Sequence, residues 1–201
     1  MSADVNAAHR EKMQRRDAVY ERQMAAATIE KGLLIVHTGA GKGKTTAALG
    51  LAFRALGQGM KVGIVQFIKG AIETGEGTLV QRLGPAIEMH TMGEGFTWKT
   101  QDRERDIAAA RRGWEKSVEL LRDPAFDMVI LDELNIVLKY DYLPLDEVLA
   151  ELGQRRPLLH VVVTGRNANS ALIEAADLVT EMTMLKHPFR AGVKPQRGIE
   201  F

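Results

Sequence analysis

The chain has 201 residues, enough for one domain with a substantial core, and no cysteine, which excludes disulfides, zinc–thiolate sites and thiol catalysis. Its 27 Lys and Arg against 26 Asp and Glu leave a formal net charge of +1, so the charge balance gives no reason to expect nucleic acid as a partner. The hydrophobic fraction of 45% and charged fraction of 26% are those of a soluble globular protein, and no apolar run approaches the ~20 residues of a membrane span.

Residues 9–29 read as a helix, rich in Ala, Met, Arg and Glu and free of Gly and Pro. Met13, Ala18, Tyr20 and Met24 make only a weak apolar stripe along it. Residues 1–30 balance five bases (Arg10, Lys12, Arg15, Arg16, Arg22) with five acids (Asp4, Glu11, Asp17, Glu21, Glu30), unlike an acid-poor transit peptide. The expectation is a helical extension over 1–30, a folded domain over 31–201, and a cytoplasmic protein.

The next element carries the chemistry. The apolar run Leu33-Leu34-Ile35-Val36 leads into Thr38-Gly39-Ala40-Gly41-Lys42-Gly43-Lys44-Thr45-Thr46, followed by a helix-compatible stretch predicted over 45–57. Glycines in such a strand-to-helix turn let backbone N–H groups converge on an anion, and the helix start adds its positive dipole end. Lys44 is placed to reach phosphates and the Thr45 hydroxyl to ligate magnesium. The usual spacing asks for Gly at position 38, where Thr38 stands. The first glycine is Gly39, so the loop is one residue short.

Further strands are expected at 62–67, 86–90, 128–132, 159–164 and 178–183, and further helices at 76–83, 103–122, 145–153 and 168–175. In 103–122, Ile107, Ala110, Trp114, Val118 and Leu121 recur at steps of three and four and define a buried face. Alternating strands and helices, with strands apolar throughout, imply an α/β fold: a parallel sheet flanked by helices. Ligands of such sheets sit beyond the carboxyl ends of the strands.

Two more strand ends bear polar groups. Met128-Val129-Ile130-Leu131-Asp132-Glu133 is a strand closing on two acids, Asp132 for a magnesium site and Glu133 as base, metal ligand or orienting group. Thr164-Gly165-Arg166-Asn167 offers Arg166 to phosphate oxygens or to solvent. Phe96 and Trp98 share a Gly-rich loop in a chain only 5% aromatic, fit either to close over a flat ligand or to anchor the loop. His9, His37, His90, His160 and His187 show no metal-ligand spacing. Residues 186–201 hold Lys186, Arg190, Lys194 and Arg197 against Glu200, a local positive excess open to an anionic ligand or to water.

Together these residues resemble the ATP:corrinoid adenosyltransferases of the phosphate-loop type. The resemblance runs from about Lys31 to Phe201. Beyond the short loop it rests on Gly93-Glu94-Gly95-Phe96-Thr97-Trp98, Leu131-Asp132-Glu133-Leu134, Tyr140-Asp141-Tyr142-Leu143, Thr164-Gly165-Arg166, Lys186-His187-Pro188-Phe189 and Ala191-Gly192-Val193-Lys194. The chain departs from the family at Ala40, where Asn is usual, and at Pro188 and Arg190, where Ala and Asp are common. The resemblance implies a P-loop nucleotide-binding (RecA-like) fold over 31–201 and adenosyl transfer from ATP to a cobalt(I) corrinoid (cobalamin, cobinamide or a precursor) with release of triphosphate. It implies magnesium or manganese at Thr45, Asp132 and Glu133, and nucleotide contacts from residues 38–46 and Arg166. It also implies catalytic roles for Lys44, Glu133, Phe96 and Trp98, the two rings helping to displace the corrinoid's lower axial ligand. A flavoprotein electron donor and a homodimer complete the expectation. An ATPase or phosphotransferase of the same fold would instead yield ADP, and a regulatory nucleotide-binding module would consume no ATP.

Overall fold

A computed structural model describes residues 2–68, 70, 74–93 and 102–200, with side chains from residue 5 onward. Phe96 and Trp98 lie outside the described residues. The chain divides into two compact units, Met1–Lys31 and Gly32–Phe201. The first contains α1 (Ser2–Ala26), which starts earlier and stops sooner than the expected 9–29. Its side chains from residue 5 on are exposed, and its composition, rich in Ala, Met, Arg and Glu, favours a helix by intrinsic propensity.

The second unit holds β1 (Leu34–Thr38), α2 (Lys44–Gly57), β2 (Val62–Gln66), α3 (Gly75–Leu83), β3 (Ile87–Thr91), α4 (Arg103–Arg122) and β4 (Met128–Asp132). Then come α5 (Leu134–Lys139), α6 (Leu145–Gly153), β5 (His160–Thr164), α7 (Ser170–Ala175) and β6 (Leu178–Glu181). Helix starts follow their caps. Thr74 Oγ1 accepts from the Gly77 N–H and Asp102 from the Arg105 N–H. Asn169 accepts from the Ala171 N–H, which moves the start of α7 from the expected 168 to Ser170. The six-residue α5 is absent from the sequence expectation. Its Leu-Asn-Ile-Val-Leu-Lys is too short to show a helical period, and its β-branched pair mimics a strand.

The strands form one parallel sheet in the order β3-β2-β4-β5-β1-β6. Strand β5 therefore separates the phosphate-loop strand β1 from the acid-bearing β4. The four central strands are buried on both faces, and alternation assigns each side chain to a layer. Leu34, Val36, Val65, Val129, Leu131, Val161 and Val163 pack with residues of α4 to α7, including Trp114, Leu121, Val137, Val148 and Leu172. Ile35, Val62, Ile64, Ile130 and Val162 pack with Ala48, Ala52 and Ala55 of α2. Gly113 lets α4 come close to the sheet, because a Cβ there would lie 3.0 Å from the Phe67 ring. β6 is an edge strand, exposed along its whole length.

Candidate active site

The pleat that sorts the core also builds a polar row. The residues in register at the carboxyl ends of five neighbouring strands are Thr91, Gln66, Asp132, Thr164 and His37. Alternation places Gln66, Asp132, Thr164 and His37 on the α2 side of the sheet, in step with Ile64, Ile130, Val162 and Ile35. The row is hydrogen-bonded from one edge inward. Thr91 Oγ1 donates to Gln66 Oε1 (3.2 Å), Gln66 Nε2 to Asp132 Oδ2 (3.2 Å), and Thr164 Oγ1 to Asp132 Oδ1 (2.7 Å). Thr45 Oγ1, in the first turn of α2, also donates to Asp132 Oδ1 at 2.7 Å. The chain of bonds stops at His37, whose two buried ring nitrogens find no partner among the described residues. Burial lowers the His37 pKa, favouring the neutral ring.

The phosphate loop lies over this row. Gly39 (φ 96°) and Gly43 (φ 106°) take left-handed conformations that other residues rarely adopt. The segment after β6 braces the loop: Met182 N–H donates to Thr38 O at 2.9 Å, and Gly41 N–H donates to Met182 O at 2.6 Å. The Gly41 amide is therefore turned toward the protein rather than converging with the others on an anion. A Cβ on Gly41 would sit 2.6 Å from Met182 O, so that position tolerates no side chain. Thr38 Oγ1 accepts from the Ala168 N–H, tying the loop to the end of β5.

Helix α2 begins without a side-chain cap and without an acidic residue in its first turn. Its first N–H groups and positive dipole end are thus uncommitted to any side chain, the local condition for anion binding. Lys44 is buried, and its ammonium donates to Gly39 O (2.9 Å) and Gly41 O (2.5 Å). Burial lowers its pKa from the ordinary lysine value. Glu133 and Asp132 pull it upward, while Arg166 and Lys42 add to the lowering.

Glu133 follows β4 in a left-handed conformation at φ 66°, unusual for a residue with a side chain and a form of strain concentrated at functional sites. Its N–H donates to Thr164 Oγ1 at 2.9 Å. Gly165 (φ 128°) permits the close pass of the β5 end, since a Cβ there would lie 2.8 Å from Asn135 Cβ and 3.2 Å from Glu133 Oε2. Asn135 Nδ2 closes this corner by donating to Gly165 O at 3.0 Å.

A cavity of about 660 Å³ opens above these groups. Gly41 to Thr46, Glu133 and Arg166 line its polar end, and Leu49, Gly50 and Phe53 continue along one face of α2 with Gly75 and Glu76 of α3 opposite. Gly198, Ile199 and Glu200 supply another wall. Of the residues expected at the site, Gly41, Lys42, Gly43, Lys44, Thr45, Thr46, Glu133 and Arg166 come together around this cavity. Asp132 lies beneath it through Thr45, Thr38 and Gly39 form the buried root of the loop, and Ala40 is exposed. Sequence reasoning missed the support of Asp132 by Thr164 and Gln66, the Asn135 contact, the apolar wall at Leu49 and Phe53, and Glu200. The tail meets the cavity not through its basic residues but through that acid, which pairs with Lys42. His160, His90 and His187 are occupied structurally by the Leu33 N–H, Glu88 and the Phe189 N–H respectively.

The family profile described as ATP:corrinoid adenosyltransferase BtuR/CobO/CobP matches residues 30–201. A corrinoid adenosyltransferase of Pseudomonas aeruginosa is 55% identical over 193 residues, covering 96% of this chain and 95% of that protein. One from Sinorhizobium sp is 54% identical over 98% of this chain and 92% of its own, and one from Escherichia coli K12 is 47% identical over 96% and 97%. With its short phosphate loop, strand-terminal acids and near full-length identity, the chain belongs to the ATP:corrinoid adenosyltransferase family.

Proposed function

We propose that this protein transfers the 5′-deoxyadenosyl group of ATP to the cobalt of a cobalt(I) corrinoid and releases triphosphate. The observation that carries this reading is the family match over residues 30–201, which spans the whole phosphate site built on the ends of β1, β4 and β5. In the reaction the cobalt(I) electron pair attacks C5′ and forms the cobalt–carbon bond. The C5′–O bond breaks, and its electron pair leaves on the triphosphate. Negative charge therefore gathers on the leaving group, and the need is for preorganised positive potential around it. Lys44, Lys42, Arg166 and the uncapped start of α2 supply it.

No water has to be activated, so Glu133 needs no role as a base. Its carboxylate favours the charged form of Lys44 against the cost of burial. The nucleophile is the corrinoid itself, so the reaction requires no Ser, Cys or His nucleophile.

The donor set around Thr45 fits a hard divalent cation. It consists of the Thr45 hydroxyl, Asp132 and Glu133, all oxygen, with the Thr45 proton committed to Asp132 and its lone pairs left for a ligand. Magnesium, or manganese, held there would neutralise polyphosphate charge. Thr45 would be the direct ligand, and Asp132, anchored by Thr164 and Gln66, would orient it.

Phe96 and Trp98 are assigned to the corrinoid, filling the space of its lower axial ligand so that cobalt becomes four-coordinate and easier to reduce. A flavoprotein donor is the proposed source of the electron. We further assign residues 1–30 as a helical extension of the 31–201 adenosyltransferase domain, and a homodimer as the working form. The decisive experiment is phosphorus NMR of products formed from ATP and a chemically reduced corrinoid. Inorganic triphosphate is expected; ADP and phosphate would overturn the assignment in favour of a phosphoryl-transfer enzyme.

A further inference from the structure

One wall of the phosphate cavity comes from a part of the chain far from the loop. Gly198 (φ 79°) turns the backbone, and the Ile199 and Glu200 N–H groups both donate to Gln196 O, at 3.1 and 2.9 Å. This compact turn sets Glu200 against the loop, where its carboxylate pairs with the Lys42 ammonium. The two partners differ in exposure: the Glu200 side chain is 18% exposed and that of Lys42 is 54%. The acid is pressed into the cavity wall, while the lysine remains open to exchange partners. A pair with so exposed a cation contributes little to folding, so its placement at the mouth of the phosphate site asks for another explanation.

The charged side chains that line the cavity are the bases Lys42, Lys44 and Arg166 and the acids Glu76, Glu133 and Glu200. Glu133 acts on Lys44 and Glu200 pairs with Lys42, so each loop lysine has an acid beside it. Lys44 is buried and bonded to loop carbonyls, whereas Lys42 is exposed and, among the described residues, bonded to the Glu200 side chain, a partner that a stronger anion can replace. A polyphosphate in this cavity meets Glu200 as a like charge and as a rival for Lys42.

We propose that Glu200 competes with the polyphosphate for Lys42, so that the 196–200 turn acts as an exchangeable counter-ion that hastens departure of the triphosphate product. This rests on the adenosyltransferase reading for the identity of the product, but not for the competition itself. The gain is kinetic. A site with several cations and an uncapped helix start holds a polyphosphate tightly, and a returning carboxylate neutralises the loop as the anion leaves.

The test uses sodium tripolyphosphate and the full chain, with calorimetry for affinity and stopped-flow displacement for dissociation. Glu200→Gln should bind tripolyphosphate about three- to tenfold more tightly at low ionic strength, with slower dissociation, and the gain should shrink in high salt. In a Lys42→Met background the same substitution should give a clearly smaller gain. Unchanged or weaker binding by Glu200→Gln would overturn the proposal. So would a gain confined to the association rate, or one undiminished without Lys42. Thermal melts of each variant establish that the fold persists. The measurement needs no corrinoid, so a product analysis yielding ADP would sink the proposed reaction while leaving this competition to stand or fall separately.

Discussion

Helices α2 and α4 begin in opposite ways. The start of α4 is closed by Asp102, which accepts from the Arg105 N–H, and is reinforced by Glu104 and Asp106 in the first turn. The start of α2 has a left-handed glycine, no side-chain cap and no acid, but a buried lysine as its first residue. Both helices need their first N–H groups and dipole satisfied. The protein satisfies α4 from within and leaves α2 to a ligand. A good cap and a phosphate site are the same physical object with different occupants, so optimising one destroys the other.

Four substitutions or conditions test that contrast. Lys44→Ala removes the buried cation of the α2 start and should cost ~3–4 kcal/mol of barrier, a ~100-fold or greater loss of turnover. Circular dichroism should still report a folded protein. Near-normal turnover would show that the loop does not hold the leaving group.

Thr46→Asp gives α2 the kind of first-turn acid that α4 has. Thr46 is exposed and lines the cavity, so the new carboxylate should raise folding stability by ~0.3–1 kcal/mol while weakening tripolyphosphate affinity about tenfold. Melting temperature and affinity should move in opposite directions; a joint gain would break the comparison. Asp102→Ala is the converse. It should lower stability by ~1 kcal/mol and leave tripolyphosphate affinity unchanged.

The smallest effect is the pH dependence of Lys44. Its pKa is lowered by burial, so kcat/KM for ATP should fall on the alkaline side before the ordinary lysine value of 10.5 is reached. Stability runs the other way. Between the lowered pKa and 10.5 the unfolded chain binds the proton that the native lysine releases, so Lys44's contribution to stability rises with pH through that window. Chemical denaturation of wild type and Lys44→Met across the window should show the wild type gaining relative to the variant.

The sequence made some of this plain and hid the rest for definite reasons. Continuous apolar runs such as Met128 to Leu131 announce buried strands, and a Gly-rich turn between a strand and a helix announces a phosphate site, because both signals are local. The placement of β5 between β1 and β4 is not local; it depends on pairing such as Leu34 with Val161. The polar row was hidden for the same reason. Asp132 is recognisable as a strand-terminal acid, but its partners Thr164 and Gln66 lie 32 and 66 residues away. Glu200 was read as a minority charge in a basic tail, since nothing in its neighbours reveals a lysine 158 residues earlier. The extent of α1 is hidden for another reason: its apolar stripe is too weak for a periodic pattern to mark its ends.

The braces of the phosphate loop span great lengths of chain. Thr45 reaches Asp132 across 87 residues, Ala168 reaches Thr38 across 130, and the Gly41 amide is held by Met182. Contacts of such separation close late, after the loop entropy between them has been lost. On a ribosome, residues 38–46 emerge well before Met182 and must wait for that later segment before the cradle can acquire its shape. Nucleotide capture therefore reports completed folding: a nascent or truncated chain should not sequester ATP, and ATP should stabilise only molecules whose last strand has docked.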